Sequence, residues 1–87
     1  MTIKVLYSKD FLRIYKKFDR NLQQEVKEKV GLFKHSEHHE RLHVHKLKGT
    51  LKGLQSFSVT HKIRIIFSFV EAHTALLTSI GSHEDVY

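Results

Sequence analysis

In the last third of the chain, apolar residues fall on alternate positions in three successive runs. Residues 54–60 set Gln55, Phe57 and Val59 on one side and Leu54, Ser56 and Ser58 on the other. Residues 63–70 set Ile63, Ile65, Phe67 and Phe69 against Arg64, Ile66 and Ser68, and residues 75–81 set Leu77 opposite Leu76, Thr78 and Ile80. Alternation of β-branched and aromatic residues predicts strands of a sheet with one buried face. Residues 2–7 alternate in the same way, with Ile3, Val5 and Tyr7 against Lys4 and Leu6, and predict a strand at the start.

Between these runs the period changes to that of a helix. Ser8 is a good N-cap, Asp10 follows in the first turn, and Phe11, Ile14, Tyr15 and Phe18 recur at helical spacing, which predicts a short helix over 9–18. Asp19 opens a second helix with the apolar stripe Leu22, Val26, Val30 and Phe33, in which Gly31 costs about 1 kcal/mol relative to alanine. Phe11, Phe18, Leu22, Val26, Val30, Ile65 and Phe67 are expected to share one core. From His35 to Lys52 no period survives, and Gly49 and Gly53 punctuate the stretch as a loop. The expected fold is α+β in the order β-α-α-β-β-β. A two-helix hairpin packs on one face of a mainly antiparallel four-stranded sheet, and the face carrying Arg64 stays free.

Composition narrows this picture. Eighty-seven residues bound residues 1–87 to a single domain, and 40% hydrophobic with 28% charged residues is a globular balance rather than a disordered one. The absence of cysteine excludes disulfides and thiolate zinc sites and fits a reducing cytoplasm. No signal peptide is expected, and no apolar run approaches the ~20 residues needed to span a membrane. Fifteen basic against nine acidic residues leave a charge of +6, which points to a polyanionic partner: nucleic acid or an acidic protein.

Chemical candidates follow from the residue types. His35, His38, His39, His43 and His45 lie within eleven residues, yet no HExxH pair or carboxylate-led cage accompanies them. A solvated loop of mixed charge explains them more simply than a zinc or nickel site. Arg64 is alone among apolar residues in the middle of the strongest strand; it is either an arginine covering the sheet or paired with Glu84 or Asp85, or a functional cation. His83 and Tyr87 taken singly read as surface and packing residues, and Lys46, Lys48 and Lys52 as a solvated run that would also suit a phosphate backbone.

The order of elements, the Leu47-x-Gly49-x-x-x-Gly53 loop, the Arg64-Ile65-Ile66-Phe67 strand and the Gly81-x-His83-x-x-Val86-Tyr87 tail together resemble the RelE/ParE superfamily of toxins from bacterial type II toxin–antitoxin systems. The resemblance runs over essentially the whole chain. It implies a cytoplasmic toxin that cuts mRNA in the ribosomal A site without metal or other cofactor. Its implied partners are a neutralising antitoxin, mRNA and rRNA, and operator DNA reached through the antitoxin. Carried over by position, Arg64 matches the arginine that stabilises the phosphate, His83 the leaving-group acid or phosphate contact, His45 the general base, and Tyr87 the aromatic that stacks on substrate. Lys46, Lys48 and Lys52 would hold RNA. Ser56 and Ser58 stand where relatives carry basic residues, so part of the cationic site is missing, and His61 and Lys62 in the hairpin turn are the residues that would compensate. The same fold includes gyrase-poisoning toxins, from which His45, His83 and Tyr87 set this chain apart, and catalytically inactive antitoxin-binding homologues.

Overall fold

The computed structural model describes residues 2–47 and 53–82. Their elements are β1 (Lys4–Tyr7), α1 (Lys9–Tyr15), α2 (Arg20–Phe33), a 3-10 turn (Ser36–His38), β2 (His45–Lys46), β3 (Gln55–Ser58), β4 (Ile63–Glu71) and β5 (Thr74–Ser82). The strands form one sheet in the order β1-β5-β4-β3-β2, antiparallel except for the β1–β5 pair.

Both helices start where their caps predict. The Ser8 hydroxyl accepts from the Phe11 amide at 3.0 Å and donates to the Thr78 carbonyl at 2.9 Å, so one side chain caps α1 and ties it to β5. Asp19 accepts from the Leu22 amide at 2.8 Å and caps α2. Gly31 does not end α2, because Phe33 two residues later is fully buried and anchors the last turn. Phe33 is the centre of an aromatic group: its ring stacks on Phe57 with centroids 4.4 Å apart and meets Phe67 edge-on at 4.7 Å. Around it Ile3, Phe11, Val26, Val30, Ile65, Leu77 and Ile80 complete the core between helices and sheet. Phe18 packs against this core half-buried, whereas Leu22 is only half-buried and lies outside the cluster.

Two expectations need correction. The sheet has five strands, not four, because His45–Lys46 pairs with Gln55 and Ser56 at its edge. Two residues are too few to show an alternation, so this strand was hidden in the aperiodic stretch. Ile80 also lies on the same face as Leu77, not opposite it. The β4–β5 register shifts between Ile66/Ser79 and Phe67/Leu77, leaving Thr78 as an extra residue that inverts the phase behind it. The Thr78 hydroxyl donates to the Ile66 carbonyl at 3.2 Å across that bulge.

Candidate active site

The sheet face turned away from the helices carries the sequence-derived cluster that can be located. Four strands bring it together through two rows of paired residues. In the first row His45 of β2 faces Ser56 of β3, which faces Ile66 of β4. In the second, Ser58 of β3 faces Arg64 of β4, which faces Gly81 of β5. Side-chain alternation puts Ser56, Ser58, Arg64 and Ile66 on one face.

His45 is exposed, and its ring is held at both nitrogens. Nδ1 lies 2.8 Å from the His43 carbonyl, and Nε2 lies 3.3 Å from the Ser56 hydroxyl oxygen. A carbonyl only accepts, so Nδ1 carries the hydrogen and donates it. In the neutral ring the lone pair is therefore on Nε2, which faces the hydroxyl of the fully buried Ser56. The His43 carbonyl reaches this position because His43 adopts a left-handed backbone with φ 56°, uncommon for a residue other than glycine. Geometry of this kind leaves one imidazole nitrogen basic and aimed.

Arg64 is half-buried, and its guanidinium donates to the Thr60 carbonyl at 2.9 Å. Among the described residues no carboxylate forms an ion pair with it; the ion pairs there are Arg13–Asp10 and Lys29–Glu25. Most of its five N–H donors remain for a ligand. Thr60 in turn organises the β3–β4 turn, its hydroxyl accepting from the Ile63 amide at 3.1 Å and the Lys62 amide at 3.3 Å. His61 and Lys62 are exposed on that turn, and Lys46 is exposed on β2. His83, Tyr87, Lys48 and Lys52 lie outside the described residues, as do Glu84 and Asp85.

The other loop histidines have local roles. The His39 ring stacks on Phe33 at 4.9 Å and its Nε2 donates to the Phe33 carbonyl at 2.8 Å, which closes the C-terminus of α2. His35 and His38 meet edge-on at 6.4 Å beside Glu37, whose carboxyl is held below the usual range chiefly by a hydrogen bond from its own amide. Among the described residues no three histidine or carboxylate side chains converge as a metal site would need. On the helix side, burial and then Tyr15 raise the Tyr7 hydroxyl above its ordinary range. No helix among the described residues is long and apolar enough to cross a membrane.

Sequence reasoning missed two contributions. Ser56, which the resemblance sets at a position that is basic in relatives, is the residue that touches His45 Nε2. The left-handed turn at His43 has no signature in residue type, since it follows from how the chain enters β2.

Neither a protein-family model nor a curated protein sequence matches the chain. Solved structures share its fold. The conserved hypothetical protein HP0894 from Helicobacter pylori is 21% identical, covers 98% of this chain and 99% of its own, and superposes with a TM-score of 0.69. A chain of the archaeal RelE–RelB complex from Pyrococcus horikoshii is 17% identical, with 94% of this chain and 96% of that chain covered and a TM-score of 0.73. The heterotetrameric YoeB–YefM toxin–antitoxin complex from Staphylococcus aureus is matched at 19% identity, with 95% and 99% covered and a TM-score of 0.66. The chain has the fold of the RelE/ParE-type toxins.

Proposed function

We propose that this chain is the toxin of a bacterial type II toxin–antitoxin system and an endoribonuclease that cuts mRNA on the ribosome without a metal ion. The observation that carries this reading is the His43–His45–Ser56 chain of contacts, on the sheet face that also bears Arg64. RNA contains its own nucleophile, so the reaction needs a base, an acid and charge stabilisation, all of which side chains supply. His45 Nε2 takes the proton of a ribose 2′-hydroxyl, and the long 3.3 Å contact to Ser56 is one that a substrate hydroxyl readily replaces. The 2′-oxygen attacks the adjacent phosphorus and the bond to the 5′-oxygen breaks. His83 gives that oxygen its proton, leaving a 2′,3′-cyclic phosphate and a 5′-hydroxyl end. Arg64, anchored on Thr60, donates to the phosphoryl oxygens as their charge grows, in a fork geometry that lysine lacks. Tyr87 stacks on a base, a contact of about 1–3 kcal/mol that tolerates any sequence. Lys46, Lys48 and Lys52 hold the backbone. The partners are then an antitoxin, mRNA in the ribosomal A site and rRNA, with operator DNA bound through the antitoxin.

Translation in vitro followed by primer extension tests this. Discrete cuts in ribosome-bound mRNA that vanish with His45→Ala are expected. Intact mRNA with blocked gyrase supercoiling would move the chain to the gyrase-directed toxins. Intact mRNA and active gyrase, with antitoxin binding retained, would leave an inactive homologue.

A further inference from the structure

At the end of the sheet beyond Ser58 lies a cleft of about 310 Å³, near the lower bound of ordinary ligand sites, which run from ~300 to ~1,000 Å³. Three separate parts of the chain line it with cationic or protonatable groups: Lys29 from α2, Arg41 and His43 from the turns before β2, and His61 and Arg64 from the β3–β4 hairpin. Its floor includes the buried Leu42 and Val59. Among the described residues no carboxylate lines it, and the one that touches a lining cation is Glu25, 3.0 Å from Lys29. The three cations among them, Lys29, Arg41 and Arg64, repel one another around an apolar floor, an arrangement that an anion relieves. The cleft is also continuous with the candidate active site. Arg64 and Ser58 belong to both, and His43 lines the cleft while its carbonyl holds His45.

We propose that this cleft is a second phosphate subsite, taking the RNA phosphodiester next to the scissile one. Arg41 and Lys29 would supply the charge, with His61 and His43 as hydrogen-bond donors. The assignment rests on the RNA reading above, since an acidic protein segment would answer the same charges. RNA is favoured because a strand with one phosphate at Arg64 must place a neighbouring phosphate beyond it, and this cleft starts at Arg64. Glu25 then weakens the subsite by holding part of the Lys29 charge.

The test is fluorescence anisotropy with labelled 2′-O-methyl hexauridylate, which cannot be cut because its nucleophile is methylated, titrated over a range of potassium chloride. Arg41→Gln, at an exposed position, and Lys29→Gln should each weaken binding on the order of three- to tenfold at low salt. Each should lower the slope of log affinity against log salt by about 0.7. Glu25→Gln should tighten binding. Lys4→Gln makes the same charge change on β1, at the opposite edge of the sheet, and should move the affinity far less. An Arg41→Gln protein that binds like Lys4→Gln, or a wild type that does not bind the oligonucleotide, overturns the subsite. So does hexaglutamate that binds with the same dependence on Arg41 and more tightly, because the cleft would then fit an acidic protein segment. Binding that depends on Arg41 in a protein that cuts nothing keeps the subsite and removes only the nuclease reading. Conversely, a wild type that cuts, with binding and KM indifferent to Arg41, removes only the subsite.

Discussion

Under the proposed nuclease reading, a single imidazole is the point on which the chemistry would turn. The His43 carbonyl fixes the hydrogen of His45 on Nδ1, so its other nitrogen faces the hydroxyl of the buried Ser56. His45→Ala should therefore lower single-turnover cleavage of programmed ribosomes by ~10²–10⁴. A well-folded His45→Ala that cuts at the wild-type rate returns this histidine to the solvated set. Arg64→Ala should cost on the order of 10²–10³, with lysine restoring only part, since one ammonium cannot offer two parallel donors. At this scale the sequence was only partly legible. Residue type and resemblance drew attention to His45 and Arg64, and the structure sets them on β2 and β4 of one sheet. The tautomer depends on a backbone carbonyl two residues away, and no side-chain pattern reports the φ of His43.

Elements were more legible, because burial imposes a period on them. The β4 alternation from Ile63 to Phe69 identified the core face, with Ile65 and Phe67 fully buried. The period failed where a bulge interrupts it at Thr78 and where β2 is too short to show one. The same logic sets what each element tolerates. Phe67 touches Phe33, Phe57 and Phe69, so Phe67→Ala should cost ~3–5 kcal/mol in denaturant unfolding, much of a small domain's stability. Unfolding near the wild-type midpoint would mean that the aromatic group does not hold the sheet to α2. Gly31 presents the opposite case. It is exposed inside α2, and a methyl group there meets nothing within 4 Å. Gly31→Ala should raise stability by ~0.4–1 kcal/mol, by helix propensity and by reducing the freedom of the unfolded chain.

For the molecule as a whole, the charge of +6 acts before any contact forms. Part of it lies on the outer side of α1, where Lys9, Arg13, Lys16 and Lys17 surround the exposed Leu12, and part lies around the Lys29–Arg41–Arg64 cleft at the sheet end. Under the proposed toxin reading, an antitoxin that covers either region should present acidic residues, and its encounter with this chain should be steered. Steered association reaches 10⁸–10⁹ M⁻¹s⁻¹ at low salt, against about 10⁵–10⁶ without steering. Screening shortens the reach of exposed charges to ~10 Å at 0.1 M salt, so the rate should fall steeply as salt rises while dissociation changes little. Stopped-flow mixing with the antitoxin over a salt series measures this directly. Paired substitutions then locate the landing site: Lys16→Gln with Lys17→Gln should slow association if the segment lands on α1, and Arg41→Gln should slow it if the segment enters the cleft. A rate indifferent to salt would contradict steering altogether. The complex would then form through apolar docking alone, and the basic surface would be left for RNA.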